Sequence, residues 1–385
     1  MVLPRHTSVY VHFPWCARKC RYCDVATKGV HPSSIPQAAY ADAILRELED
    51  RSPALEGRRL SSIFFGGGTP SLFEPRELGR VLAGIRRAFA SEVEDLEITT
   101  ECNPSSFDRA KAEAFRAAGV NRVSLGVQSL SDERLRFLGR LHDARGALAA
   151  IADATAVFER VSGDLMFGMP GQDAAALADE IARLLDTGLR HVSAYALTIE
   201  PDTVFGDLQR RGKLRVAKED DYAVMFHEAE SLFARYGLSH YEVSNYAVPG
   251  EESRHNLHYW RGGAYLGLGA AAVGCLDEGP GRARRWRNLP DGDAYIVAPA
   301  EEREESEERL DAETIVREAL MLGLRTAEGV DLEDVARRAG IDPLEGRRGT
   351  LERRIAQGDV VHEGGRLRVP RERWLHLDGI VADLF

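Results

Sequence analysis

The run Tyr10-Val11-His12-Phe13-Pro14-Trp15-Cys16-Ala17-Arg18-Lys19-Cys20-Arg21-Tyr22-Cys23-Asp24 carries three cysteines within eight residues, directly after a short β-branched and aromatic stretch. Thiolate is the donor that sulfide-bridged iron prefers, and a cubane cluster normally takes four of them. Three thiolates on one loop hold three irons and leave the fourth without a protein ligand. Cys102 and Cys275 lie far away in sequence, so an amine and carboxylate of a small molecule are the better fourth ligand. A zinc knuckle is the other reading of the same residues. It requires a fourth Cys or His, for which His12 and His31 are the nearby candidates.

Working outward, short strand-like runs at 8–13, 61–65, 96–101, 122–127, 163–167 and 191–197 alternate with helical patterns at 36–51, 75–90, 109–118, 144–159 and 174–186. Such alternation predicts an α/β fold, a parallel sheet of βα units closing into a partial (β/α)6 TIM-like barrel that is open on one side. Functional groups in these barrels gather where strands end. Here those positions hold Gly66-Gly67-Gly68-Thr69-Pro70-Ser71, then Glu101 and Asn103, Gln128, and Asp164 with Met169-Pro170-Gly171. Glycines before a proline make a tight turn. Beside a cysteine loop, their bare backbone also leaves room for a cofactor, whose amine and carboxylate their N–H and C=O groups would meet.

The CxxxCxYC spacing resembles that of the radical S-adenosylmethionine (radical SAM) superfamily. The run from Tyr10 to Cys16 is similar to the oxygen-independent coproporphyrinogen III oxidase family within it. The resemblance implies a [4Fe-4S] cluster on Cys16, Cys20 and Cys23, with S-adenosylmethionine chelating the open iron. It carries S-adenosylmethionine binding onto Tyr10, Tyr22, Gly67, Gly68, Thr69, Glu101, Gln128, Arg140, Asp164 and Ala196. Glu101 suits an ammonium or a ribose, and Arg140 a carboxylate.

Further on, Tyr241-Glu242-Val243-Ser244-Asn245-Tyr246 leads to Arg254-His255-Asn256-Leu257-His258-Tyr259-Trp260. This HNxxYW run is similar to the heme chaperones of the same family. The resemblance makes His255 a heme ligand, with Tyr259 and Trp260 as flat surfaces for a porphyrin. Where many relatives have Gly-Ala-His, this chain reads Gly267-Leu268-Gly269-Ala270-Ala271-Ala272-Val273-Gly274-Cys275, with Val273 in the histidine's place. The Gly-x-Gly-x-x-Ala pattern there lacks the βαβ setting of a dinucleotide site. Arg282, Arg284, Arg285 and Arg287 around Trp286 read as a solvated loop, with capture of heme propionates as the alternative.

These features divide the chain into a barrel at 1–235, a barrel extension with the HNxxYW region at 236–300, an acidic linker at 301–313 and a small winged-helix-like α+β domain at 314–385. Residues 313–385 hold twelve arginines and no lysine against fourteen acidic residues, which argues against a DNA-reading face and for a lid or protein-docking module. A net charge of −11 likewise excludes nucleic acid as the main partner. No apolar run reaches membrane-spanning length, although peripheral membrane contact stays open. The first six residues lack a signal-peptide core, and five cysteines do not make a disulfide framework, so the expected compartment is the cytoplasm.

Three functions fit the resemblance. The first is a heme chaperone that uses the cluster, S-adenosylmethionine and heme and delivers heme to respiratory hemoproteins. The second is a coproporphyrinogen oxidase of porphyrin biosynthesis, and the third a radical methyltransferase. Val25 stands where the oxidases carry a further cysteine, and only fifteen residues precede Cys16; both features favour the chaperone.

Overall fold

In the computed structural model, which describes residues 5–384, the six β-rich runs become parallel strands in chain order. They are β1 (Arg5–Phe13), β2 (Arg58–Gly67), β3 (Ser91–Cys102), β4 (Arg122–Gln128), β5 (Arg160–Phe167) and β6 (His191–Ala196). The opening residues 1–4, read above for a signal core, and Phe385 lie outside the described residues. Between and after the strands run α1 (Gln37–Arg51), α2 (Pro75–Ala88), α3 (Arg109–Ala118), α4 (Asp132–Leu138), α5 (Ala144–Thr155), α6 (Ala174–Leu185), α7 (Val204–Arg210) and α8 (Glu219–Arg235).

Strand alternation sorts the side chains. Val9, Val11, Phe13, Ile63 and Phe65 belong to the buried apolar core under the helices. Ser8, Tyr10 and His12 on β1, Ser62 on β2, Glu97 and Glu101 on β3, and Asp164 on β5 occupy the opposite, inner face. The barrel interior is therefore polar, with its mouth at the C-terminal strand ends and its base at the N-terminal ends.

The sheet extends past the six strands at both edges. β7 (Ser239–Glu242) and β8 (Asn245–Ala247) add antiparallel beyond β6. After α9 (Arg254–Trp260), β9 (Ala264–Leu268) pairs parallel to β1 as a seventh parallel strand. β10 (Val273–Gly279), β11 (Arg282–Asn288) and β12 (Glu304–Leu310) follow antiparallel, with α10 (Gly292–Val297) between the last two.

Two expectations are corrected here. The acidic stretch expected as a linker contains strand β12, and the arginine island expected as a loop is strand β11. Cross-strand charge pairing is the reason. Arg284 meets Glu304 at 2.7 Å and Glu307 at 3.1 Å, Arg285 meets Glu308 at 3.1 Å, and Arg287 meets Glu305 at 3.4 Å.

Glu47 of α1, fully buried, joins this wing to the barrel. Its carboxylate accepts from Gly269 N at 3.0 Å, Asn288 Nδ2 at 2.8 Å, Tyr295 Oη at 2.5 Å and Arg51 Nε at 2.8 Å. The loop that superficially matched a dinucleotide fingerprint is thus bound to Glu47.

The C-terminal unit comprises α11 (Ala312–Gly323), β13 (Val330–Asp331), α12 (Leu332–Ala339), α13 (Arg348–Ala356), β14 (Val361–Glu363), β15 (Arg366–Arg368) and α14 (Leu377–Ala382). Its three strands form a small sheet of order β13-β15-β14, turned at Gly364-Gly365. Arg371 donates to the His240 carbonyl at 2.7 Å, Arg338 to that of Gly262 at 2.8 Å, and Val243 N to that of Arg325 at 3.0 Å. These contacts fall on β7 and α9, toward the barrel base. The expected lid is therefore not a lid over the mouth. No helix among the described residues is long and apolar enough to cross a membrane.

Candidate cluster and nucleotide site

The cysteine loop leaves β1 at Pro14 and is folded back on itself. Trp15 and Cys16 pair in parallel with Lys28 and Gly29, and Lys28 N donates to the Pro14 carbonyl at 2.8 Å. Its middle is fastened to two mouth loops: Arg21 N donates to Leu138 O at 3.1 Å, and Phe205 N to Arg21 O at 3.0 Å. Arg18 bonds the carbonyls of Gly139 and Arg140 at 2.6 and 2.7 Å.

Donors point at the sulfurs. Cys16 Sγ accepts from Thr69 Oγ1 at 3.2 Å and Thr27 Oγ1 at 3.3 Å, while Arg140 Nη1 lies 3.5 Å from Cys20 Sγ. Such donors stabilise thiolate sulfur. Burial pushes the Cys16 thiol up, and the Cys23 thiol up to about 11, so metal uptake displaces protons from these sulfurs. Among the described residues no three His, Cys, Asp or Glu side chains converge on a point for one metal ion.

The glycine triplet works differently from the expectation. A Cβ on Gly67, whose φ is +108°, would stand 2.6 Å from the His12 ring; one on Gly68 would stand 2.6 Å from Thr27 Oγ1 and the Trp15 carbonyl. The amides are already committed: Gly67 N to Glu101 at 3.2 Å, Gly68 N to Phe13 O at 2.7 Å, Thr69 N to Trp15 O at 2.9 Å. These glycines let β2 end against the cysteine loop, and the room their missing side chains leave is filled by His12, Thr27 and the backbone of that loop.

Next to this junction the barrel sets Tyr10, Glu101, Gln128, Arg140 and Asp164. Burial first, and the neighbouring Asp164 charge second, raise Glu101 to about 8. Burial also raises Asp164 to about 6, although Ser124 Oγ donates to it at 3.0 Å. Gln128 sits in the left-handed region at φ +66°, and its Oε1 accepts from Tyr195 Oη at 2.7 Å. Arg140 is anchored on Gly126 O at 2.6 Å. Tyr22 is half-buried beside Arg140, and desolvation raises its phenol. Ala196 ends β6 next to Tyr195.

Sequence reasoning missed two members. His12, considered only as a metal ligand, joins Tyr10 Oη at 3.0 Å through Nδ1 and Ala26 O at 2.9 Å through Nε2. Because the carbonyl can only accept, Nε2 carries the proton and Nδ1 accepts from Tyr10. Burial lowers His12 to about 4 and keeps the ring neutral. Tyr195 is the other. Its signal was the inward register it shares with Asp164, which pairs with Ser193 across β5 and β6.

His255 lies elsewhere. Its ring is 3% exposed, accepts or donates at Ser62 Oγ over 2.9 Å, and stacks on Phe64 at 4.9 Å. The backbone amides of Arg254 and His255 donate to Glu97, which Arg160 also pairs at 2.7 Å. Ser62 is five residues below Gly67 on β2, a rise of roughly 17 Å. α9 thus plugs the base of the barrel, and ligation of heme iron by His255 requires that plug to withdraw. Val273, in the expected histidine's place, begins β10 opposite Arg287.

A three-cysteine loop at the mouth of a partial parallel barrel, with a glycine turn and a buried carboxylate beside it, defines the radical SAM class. The Radical SAM superfamily model matches residues 10–188, and the HemN C-terminal domain model matches residues 310–376. Membership of this superfamily implies a [4Fe-4S] cluster and S-adenosylmethionine, and the donor set above fits both. The chain belongs to the HemW family: it is 35% identical to the heme chaperone HemW of Lactococcus lactis over 86% of this chain and 85% of that one. It is 32% identical to the Bacillus subtilis heme chaperone HemW over 92% of both. It is also 36% identical to the bovine mitochondrial radical S-adenosyl methionine domain-containing protein 1, over 86% of this chain and 71% of that one. The fold matches coproporphyrinogen III oxidase (HemN) from Escherichia coli with a TM-score of 0.81 at 20% identity, covering 99% of this chain and 90% of that one.

Proposed function

We infer that this protein is a heme chaperone that carries a [4Fe-4S] cluster on Cys16, Cys20 and Cys23, binds S-adenosylmethionine at the barrel mouth and delivers heme to respiratory hemoproteins in the cytoplasm. The observation that carries the reading is the alignment with HemW chaperones over most of the chain together with the sulfur-facing donors Thr27, Thr69 and Arg140. When bound, the cluster and nucleotide supply one-electron chemistry at a sulfonium. The chain's own residues hold the loop, orient the ligand through Tyr10, Glu101, Gln128 and Arg140, and keep water from the sulfurs. Tyr22, Gly67, Gly68, Thr69, Asp164 and Ala196 shape the same cavity.

Anaerobic titration of the reconstituted protein with heme, run beside an assay of porphyrinogen decarboxylation, tests the reading. Heme uptake without decarboxylation is expected; decarboxylation without uptake reverses the assignment to an oxidase. Cys20→Ser should strip bound iron and sulfide and abolish the brown absorbance. Full retention of both excludes the loop as the ligand set.

A further inference from the structure

A second apolar cluster stands apart from the main core at the barrel mouth. Leu138, Met166, Met169, Leu197, Phe205 and Leu214 form it, with Tyr22 and Tyr195 packed on its edge, so it adjoins the cysteine loop directly. Leu214 comes from a strap at residues 211–218, between α7 and α8, whose residues 213–218 have neither helix nor strand structure. Leu214 is the strap's single buried side chain, and Ala217 N to Gly168 O, at 3.4 Å, is the bond that ties down its far end.

The strap also carries cations outside any ion pair. Residues 208–218 contain Arg210, Arg211, Lys213, Arg215 and Lys218, and the acidic residues Glu219, Asp220 and Asp221 follow directly in the first turn of α8. Arg210 and Arg211 are paired with Asp207. Lys213, Arg215 and Lys218 are exposed and have no ion-pair partner among the described residues. On β11, by contrast, Arg284, Arg285 and Arg287 are paired with glutamates of β12. Beside the strap, the mouth loops expose apolar side chains: Leu141 at 49%, Val204 at 55% and Val216 at 39%.

Free cations bordering exposed apolar side chains and a methionine-bearing floor are complementary to a flat, apolar ligand with carboxylates on its rim. We propose that the strap at 211–218 is the carboxylate-recognising rim of a heme site at the barrel mouth, with Lys213, Arg215 and Lys218 taking the propionates and the Leu138–Met166–Met169 surface meeting the macrocycle. This inference rests on the chaperone reading and relocates its heme site from His255 at the base to the cluster end. Leu214 lifts as the macrocycle enters, because the floor is covered while it is seated. Heme and cluster then share one opening.

The test is anaerobic absorbance titration of the full-length, cluster-loaded protein with heme and with heme dimethyl ester, whose propionates carry no charge. Wild-type protein is compared with the triple variant Lys213→Gln, Arg215→Gln, Lys218→Gln; these exposed changes should leave the thermal melt unaltered. The variant is expected to lose at least tenfold in affinity for heme and nothing for the ester. Equal heme affinity in both proteins overturns the inference and leaves the chaperone reading standing. Absence of heme uptake by the wild type sinks both. A third arm uses phosphatidylglycerol–phosphatidylcholine vesicles: variant protein that no longer co-sediments, yet binds heme as the wild type does, reassigns the strap to anionic lipid.

Discussion

At Gly68 a single hydrogen stands where any side chain would strike backbone. A Cβ there meets the Trp15 carbonyl at 2.6 Å and the Phe13 carbonyl at 2.9 Å, neither of which can move without shifting the cysteine loop. Gly68→Ala is therefore expected to destabilise the fold by roughly 1–3 kcal/mol and to lower cluster occupancy, measured by denaturant melts and iron content. Glu101 makes a second prediction. Its folded pKa of about 8 lies above the ordinary carboxylate value, so the native state holds an extra proton and loses stability as pH rises through about 8. Glu101→Gln keeps the neutral form permanently. In nucleotide-free protein its melting temperature should gain on the wild type more at pH 9 than at pH 6, and equal differences at the two pH values would refute the assignment. The three cysteines stood out in the sequence as a candidate ligand set because their spacing is chemical information in itself. His12 was not, because its partners Tyr10 and Ala26 lie on a strand and on a loop that only folding brings together.

Among the elements, α9 shows that a motif does not carry its own place in the fold. The HNxxYW run puts His255, Tyr259 and Trp260 on one segment, and packing sets that helix at the barrel base. There His255 bonds Ser62 and stacks on Phe64, and Tyr259 stacks on Tyr265 at 4.5 Å. His255→Ala should cost roughly 2–4 kcal/mol by cavity formation and an orphaned Ser62, read from denaturant unfolding, while heme affinity stays within twofold. A large loss of heme affinity with stability intact would restore His255 as the ligand. Strand β12 supplies the opposite lesson. Four glutamates in the seven residues Glu304–Leu310 look like linker composition, and they become an edge strand because β11 offers arginines in register. Local composition cannot report a partner that lies sixteen or more residues upstream.

For the whole molecule, the barrel and its antiparallel wing are joined through Glu47, whose partners come from α1, the β9–β10 loop, β11 and α10. Glu47→Ala leaves Asn288, Tyr295 and the Gly269 amide without their buried acceptor. A loss of about 3–5 kcal/mol is expected by urea unfolding, and a loss below 1 kcal/mol would show that the junction is held elsewhere. The chain's own order of residues determined the class of fold, the three-cysteine loop and the set of strand-end side chains, because β-α periodicity and cysteine spacing are properties of neighbours in sequence. Which end of the barrel each motif occupies, which charges are cancelled and which are left free on the strap, and which side of the barrel the C-terminal unit covers were decided only by tertiary packing. Those outcomes depend on long-range pairings such as His255 with Ser62 and Arg284 with Glu304, and burial and charge compensation exist only after the chain has closed on itself.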